Sequence, residues 1–529
     1  MKVHQIPFQN TGYFSKLICD YLNKETKLDD FYGNFPNIDG FEKQLKLKSN
    51  FSKETREILF QSLNEQYINF HKEDLVSEHI KLLKYENTFT ITTGHQLNLF
   101  TGPLYFLYKI ICTINLTKKL KFEFPEYNFV PVYWMATEDH DFEEINFFNL
   151  NTEKIEWDRD FGGAVGRLKT DSLEPVFNEF DKHLNNSQNA NFLKDLFKEA
   201  YFKHDNLAQA SRYIVNKLFG ENGLVIIDGD DKNLKQVFAP LVQEELANQV
   251  SFKEVNKTNK QLLCNYNIQV NPREINLFYL KDSIRERILF ENNSYSINNT
   301  DLVFSKTEIL EELSNFPERF SPNVIMRPIY QETILPNLCY IGGGGELAYW
   351  FQLKSYFKSQ NTVFPILLLR NSALMVSVKQ LEKIEKLNLN LKDLFKKQDV
   401  LVNTKVKEIS NIKIDFSEQK EFLQKQFVAL KKLATKTDNS FIGAVKAQEK
   451  KQLNGLDKLE KRLLKAQKRK LKDEVDRVKA IQDALFPNQS LEERYRNFSE
   501  YYLELGPEFL ILLFNAFDPL TLEFTVIEY

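Results

Sequence analysis

Three groups of residues in this chain gather ionisable side chains, two of them with glycines, and each follows a short apolar run. The first is Thr93-Gly94-His95-Gln96, followed by Phe100-Thr101-Gly102-Pro103. Gly94 permits a tight backbone turn, Thr101 is placed to cap a helix, and Pro103 suits that helix's first turn. Such a helix start offers unpaired amides and a positive dipole end to a phosphate or carboxylate. His95 would add a hydrogen-bond donor or an acid/base group, although a turn histidine bonded to backbone fits the same spacing. The second group, Glu138-Asp139-His140-Asp141, directly follows VPVYWMAT. Carboxylates this dense are costly to pack unless solvated, paired or liganded. They could hold an ammonium group, orient His140 or bind a divalent cation, or simply form an acidic helix start. No helical His-x-x-x-His pair accompanies them, so the zinc signal is weak.

The third group is Arg327-Pro328-Ile329-Tyr330-Gln331-Glu332 with Tyr340-Ile341-Gly342-Gly343-Gly344-Gly345-Glu346. Four successive glycines let a backbone approach a ligand closely, and amides before a helix again suit anions. No Gly-Lys-Ser/Thr follows, so this is not a Walker loop. Arg370, ending PILLLR, could neutralise a phosphate or carboxylate, or pair with the acidic cluster.

These groups need a scaffold that aligns strand ends. TFTITTG, FVPVYWM, GLVIID, the segment ending in Cys339-Tyr340-Ile341 and PILLLR read as short buried strands alternating with helices, which argues for an α/β fold with a mostly parallel sheet. Ligands of such sheets bind beyond the carboxyl ends of the strands. The pattern predicts an N-terminal helical layer over 1–85 and core segments at 86–150, 216–254 and 321–375. Insertions are expected at 151–215 and 255–320, the second strand-containing through INLFYLKD and RILFENNSYSI. Apolar positions among charged helix formers over 376–485 predict a helical hairpin, two long stretches joined by an irregular 400–415 segment. The tail FDPLTLEFTVIEY returns to strand-like composition, and the segment 486–529 is expected to pack on the core.

With 529 residues and 42% hydrophobic content the chain can bury a large core. Lys+Arg (70) and Asp+Glu (73) nearly cancel, so no global field favours nucleic acid or an anionic membrane. The basic run AQKRKLKDEVDRVK is interleaved with acids and lacks an aromatic platform, and reads as a solvated helix face. No apolar run reaches membrane-spanning length, and MKVHQIPFQNTGYF lacks a secretory pattern, which predicts a cytoplasmic protein. Cys19, Cys112, Cys264 and Cys339 are scattered and are expected to be reduced, buried thiols.

TGHQLNLFTGPLYFLYKI, VPVYWMATEDHDFEEIN, RPIYQE, YIGGGGELAYW and PILLLRNS together resemble the bacillithiol-biosynthesis cysteine-adding family of cysteine ligases. The resemblance implies a Rossmann-like, nucleotidylyltransferase-type core with connecting-peptide insertions and a long antiparallel coiled-coil domain supporting a homodimer. It implies joining of the cysteine carboxyl to the amine of glucosaminyl malate, the last step of bacillithiol synthesis. Because a carboxylate must be activated before it forms an amide, ATP use through an acyl adenylate is expected, with Mg2+ accompanying the nucleotide and no protein metal site. The synthetase-like His-x-Gly-His signature is only partly echoed by Gly94-His95-Gln96, and no Lys-Met-Ser-Lys-Ser-type loop is evident.

On this reading His95, Asp139 and His140 are the catalytic candidates. Gln96, Glu138, Asp141, Arg327, Gln331, Glu332, Tyr340 and Glu346 would bind substrate, and Gly94, Thr101, Gly102, Gly343, Gly344 and Arg370 would bind the cofactor. A metal-dependent hydrolase or nucleotidyltransferase, and a non-enzymatic coiled-coil assembly protein, are the rival readings.

Overall fold

The structure is a computed structural model that describes residues 2–437 and 439–529. It divides into two compact units, one built mainly from Tyr13–Leu374 and Glu492–Ile527, the other mainly from Met375–Leu491. Among the described residues no helix is long and apolar enough to cross a membrane.

The first unit is organised by a parallel sheet of β1 (Thr88–His95), β2 (Asn128–Met135), β3 (Val225–Asp228), β4 (Asn337–Gly342) and β5 (Ile366–Leu369), ordered β5-β4-β1-β2-β3. The chain proceeds outward from β1 to β3 and then returns on the other side of β1 as β4. The β1/β4 seam is therefore the topological switch point. Every residue of β1 is buried, as expected for a central strand covered on both faces. Phe89 and Ile91 pack with Cys112, Leu116 and Leu120 of α1 (Tyr105–Glu123) and with Leu338, Cys339, Ile341, Ile366 and Leu368. The alternate positions are threonines. Thr90 and Thr92 donate to Asn337 Oδ1 at 3.2 and 2.9 Å, and Thr93 donates to the Ile341 carbonyl at 2.8 Å, which satisfies the buried hydroxyls and pins the register at the seam.

The region before β1 is helical, with Ile38–Lys48, Lys53–Gln66 and Asp74–Leu82 among its helices, after a first strand at Lys2–Ile6. The buried Arg56 donates to the Leu83 and Thr88 carbonyls and ties this layer to β1. Between β2 and β3 lie a hairpin, Phe147–Leu150 with Glu153–Glu156, and the helices Glu174–Lys182, Gln188–Phe202 and Leu207–Phe219. After α2 (Lys232–Asn248) comes an antiparallel sheet of Leu277–Lys281, Ile284–Glu291, Ser294–Ile297, Val303–Phe304 and Phe320–Pro322. INLFYLKD and RILFENNSYSI supply its first three strands. α3 (Arg327–Ile334) precedes β4, and α4 (Gly344–Trp350) follows it. Near the C-terminus, Thr525 N donates to the Ser372 carbonyl at 2.9 Å.

In the second unit the hairpin differs from its expected form. Gln398–Ile409 is helical, so the irregular break is confined to 410–416, and the two long antiparallel helices are Ser417–Ala434 and Asn439–Lys470. The reversal after Ala434 was hidden in the sequence because Thr435-Lys436-Thr437 carries neither glycine nor proline. Phe427, Ala434 and Val445 pack in the hairpin's seam, and Lys420 pairs with Asp457 and Glu460 at 2.7 and 2.8 Å.

Two of the expected substrate-binding residues are instead part of the sheet's foundation. α3 starts at Arg327 and runs toward the amino end of β4, a rise of roughly 12 Å over its length. Gln331 and Glu332 are fully buried there. Glu332 accepts from Asn337 at 2.6 Å and from Gln331 at 3.0 Å, and pairs with the buried Lys48 at 3.1 Å. Replacing Lys48 by Met leaves this carboxylate without its cation. We expect a loss of roughly 3–5 kcal/mol of unfolding free energy in denaturant titrations. Adding Glu332→Gln should recover much of that loss, and a loss below about 1 kcal/mol for the single variant would show that the pair does not anchor the sheet.

Candidate active site

The parallel register places the polar ends of three strands side by side. Gly94 lies beside Trp134 and His95 beside Met135, while Tyr340 and Ile341 flank Thr92 and Thr93. Above these ends opens a cleft of about 910 Å³, within the usual range for a small-molecule site. Gly94, His95, Gln96, Glu138, Asp139, His140, Arg327, Tyr340 and Glu346 all line it, so residues from four separate stretches of the sequence meet in one place.

One pole of the cleft is built on buried charge. Lys109, on the first turns of α1, is 2% exposed. Its ammonium donates to the Gly94 carbonyl at 2.8 Å and pairs with Glu346 at 2.5 Å. Glu346 also accepts from the Tyr340 hydroxyl at 2.7 Å and from the Gly343 amide at 2.8 Å. Burial opposes ionisation of Glu346, but Lys109 and these donors outweigh it and hold the carboxyl below its ordinary range. Burial pulls Lys109 down, against the attraction of Glu346.

His95 lies against this network, its ring 4.9 Å from that of Phe106 and 5.3 Å from that of Tyr105. Burial, then the charges of Lys109 and Arg370, depress its pKa far below the ordinary value, so the imidazole is neutral at pH 7. Its Nε2 is buried with no hydrogen-bond partner, which sets aside the reading of His95 as a turn histidine satisfied by backbone at that atom. Gly94 sits in extended strand rather than a turn. Its need for glycine is space, since a Cβ there would come within 3.3 Å of the Tyr340 hydroxyl. The Arg327 guanidinium lies 5.9 Å from the Trp134 ring and 5.4 Å from that of Tyr340, donates through Nη1 to Gln331 and leaves Nη2 without a partner. Two buried orphan groups, a neutral imidazole nitrogen and an arginine nitrogen, thus face one cleft.

The other pole is acidic. Asp139 accepts from Gln96 at 2.9 Å and from the His140 amide at 2.8 Å. Although burial works against it, the bonds from His140 and Gln96 and the Arg285 charge hold this carboxyl well below the usual range. Glu138 is paired with the buried Lys235, and burial pushes its carboxyl up against that attraction. Arg285, on the strand Ile284–Glu291, approaches His140 Nδ1 and stacks 4.1 Å over the Phe278 ring. Arg285, Lys109 and Lys235 were not singled out in the sequence. A lone lysine in the apolar run YFLYKIIC was a readable signal for Lys109. For Arg285 there was none, because its place depends on an insertion folding back over the sheet.

Several expected site residues lie elsewhere. Thr101 does not cap a helix: it has φ 70°, and α1 starts later, with Leu104 as its cap residue. Gly102 has φ 61°, and a Cβ there would meet the Asn98 Cβ at 2.6 Å, so it serves a crowded reversal locked by Asn497, which donates to the Phe100 and Gly102 carbonyls. Two of the amides meant for an anion are engaged, Leu104 N with the Arg496 carbonyl and Phe106 N with that of Pro103. Gly343 caps α4 and spends its amide on Glu346, and neither it nor Gly344 lines the cleft. Arg370 pairs with the buried Glu493 at 2.7 Å rather than with the acidic cluster, and touches the site only by stacking 5.1 Å from the Tyr105 ring. Asp141 is exposed just outside the cleft. Of the cysteines, Cys112 and Cys339 are buried, but Cys19 is half-buried and Cys264 exposed, against the expectation that all four are buried.

Beneath the acidic pole, the cleft residue Thr137 donates to Asp228, whose carboxyl is pushed up to about 6 by burial and then by Asp230. A raised carboxyl favours the folded state below its unfolded pKa, and that contribution is lost as pH rises through the folded value. Asp228→Asn should therefore remove a decline of roughly 2–3 kcal/mol between pH 4 and 7. Unfolding free energies of both proteins across that range provide the check, and parallel curves would contradict it.

Comparison with known proteins agrees with this architecture. The family model for the bacillithiol biosynthesis BshC N-terminal Rossmann-like domain matches residues 1–371, and that for the BshC C-terminal coiled-coil domain matches residues 373–529. Relatives named "Putative cysteine ligase BshC" include one from Flavobacterium johnsoniae, 57% identical over 99% of this chain and 99% of the relative. Another, from Christiangramia forsetii, is 54% identical over 100% and 99%. One from Bacillus mycoides is 28% identical over 93% and 94%. With both domain models matched in order and full-length relatives above half identity, the chain belongs to the BshC family of bacillithiol biosynthesis.

Proposed function

We propose that the cleft forms an amide between the carboxyl of cysteine and the amine of glucosaminyl malate, completing bacillithiol. The observation that carries this reading is the pairing, in one cleft, of an ionised acidic group with two unsatisfied polar groups suited to anions. The Asp139 carboxylate keeps acceptor capacity beyond its bonds to Gln96 and His140, which suits the ammonium of cysteine. Arg327 Nη2 and the neutral His95 Nε2 suit the oxygens of a phosphate or an activated carboxyl. These orphan groups fit a nucleotide, and ATP when bound would supply activation of the cysteine carboxyl, by an acyl-adenylate route. His95 acts as a neutral hydrogen-bonding group, because a buried imidazolium beside Lys109 and Arg370 is disfavoured. At the start of α1 the Leu104 and Phe106 amides are engaged and so are not offered to a phosphate.

His140 is the candidate base for the acceptor's ammonium. With Nδ1 facing Arg285 it accepts there, and its base function requires that lone pair to be released. Glu138 is committed to Lys235, so Asp139 is the one carboxylate of the pair with spare acceptor capacity, and Mg2+ would enter with the nucleotide.

Incubation with cysteine, glucosaminyl malate and ATP, with omission of each in turn, tests the reading by mass spectrometry. Product with stoichiometric nucleotide cleavage is expected, and product formed without ATP would overturn the activation route. His95→Ala should lower turnover at least ~100-fold with an unchanged melting midpoint. Near-normal turnover removes His95 from the mechanism.

We also propose a homodimer through the hairpin. Phe422, Leu430 and Leu433 are exposed and fall on one side of the helix Ser417–Ala434, an apolar stripe that a second copy would cover. Sedimentation should show a dimer, and Phe422→Glu with Leu433→Glu should yield a folded monomer. A wild-type monomer at micromolar concentration would refute this.

A further inference from the structure

The insertion that follows α2 faces the cleft with three arginines, Arg273, Arg285 and Arg287. Arg285 and Arg287 are two apart on the strand Ile284–Glu291, so they share one face and stand about 7 Å apart along it. Phe278 is the register partner of Arg287 and lies beneath Arg285, forming an apolar floor. Among the described residues none of the three forms an ion pair. The neighbouring Glu286 is bonded to Asn298 and Asn299 instead. Arg285 is offset by the nearby charges of Asp139 and Glu138, whereas Arg273 and Arg287 have no carboxylate in ion-pair range among the described residues. Such neighbouring like charges favour a bound anion, and guanidinium forks match carboxylates in pairs. A phosphate is better served at the β1/β4 seam, where His95 and Arg327 hold their unsatisfied nitrogens.

Resting on the ligase reading above, we infer that this arginine wall is a dicarboxylate subsite that takes the malyl group of the acceptor. It sets the acceptor's register, with the amine toward His140 and the diacid toward the insertion. Binding also has a chemical effect. Arg285 now approaches Nδ1 of His140, and a carboxylate drawing it away leaves that lone pair free. The acceptor's ammonium proton then passes to Nδ1, and the neutral amine attacks the carboxyl carbon of the cysteinyl adenylate. As the C–N bond forms the C–O bond to AMP breaks, AMP leaves with that electron pair, and the nitrogen's second proton goes to solvent. The diacid thereby switches on the base that its own amine needs.

The test compares glucosaminyl malate with methyl glucosaminide, the same amino sugar without the diacid, on the full-length protein and on Arg287→Ala. The wild type should prefer the malyl acceptor at least tenfold in kcat/KM. Arg287→Ala should raise the KM for glucosaminyl malate about tenfold, leave the KM for cysteine unchanged and erase most of that preference. Arg287→Lys, which keeps the charge but not the fork, should fall between, and it serves as the readout if the alanine variant does not fold. An unchanged preference in both variants overturns the subsite while the ligase reading stands. If the wild type makes no product, calorimetric titration of glucosaminyl malate separates the two ideas. Binding that weakens in the variants sustains the subsite and fails the ligase reading, whereas no binding to the wild type overturns both.

Discussion

The active-site architecture hangs on one buried cation. Lys109 brings its ammonium to the Gly94 carbonyl near the end of β1 and to the carboxylate at the start of α4, tying β1 and α1 to an element more than two hundred residues further along the chain. A buried charge is tolerated only when its partners are complete, so the Lys109, Glu346, Tyr340 and Gly343 amide network must assemble as a unit. Burial, with the Lys109 field added to it, depresses the imidazole of His95 and makes that side chain a neutral group in a charged neighbourhood. The chemistry available at the switch point is therefore set by a residue on the far side of a helix turn from the strand end it serves.

The sheet solves a second problem by the same means. Its central strand buries a row of threonine hydroxyls, and these are answered by Asn337, which is in turn held by Glu332 and Lys48. Polar networks thus close both ends of the β1/β4 seam, one structural and one facing ligand. Between them lies the apolar packing of α1 on the sheet. A seam fixed at both ends lets strand-end residues keep their spacing while an insertion closes the cleft from above.

The strands and their polar ends were legible because a buried parallel sheet writes itself as short apolar runs, and each run identified from the residues became a strand. The residues at those ends, from His95 through Asp139 to Tyr340 and Glu346, converge on the cleft for the same reason. What the sequence did not convey were the commitments made after folding. Thr101 looked like a helix cap, but the chain takes a left-handed reversal there, and Gln331 and Glu332 belong to a helix that carries them away from the cleft. Arg370 is claimed by Glu493, more than a hundred residues along the chain. Ion pairs of such long sequence separation have no local pattern, and neither does a wall of arginines presented by an insertion.

The placement of the chain's own sulfur gives the fold a further property. Cys112 and Cys339 are enclosed in the sheet's core, where burial lifts Cys112 to about 12 and Cys339 well above its ordinary range, and burial also raises the half-exposed Cys19. Thiolate is the form that exchanges with disulfides, so these three are poor partners for any oxidised thiol in their surroundings. Only Cys264 stands in the open, on the approach to the segment that carries Val270 and Arg273 into the cleft. Thiol exchange is thereby concentrated at one exposed position on the surface, while the sulfurs of the sheet's core stay protonated and out of reach.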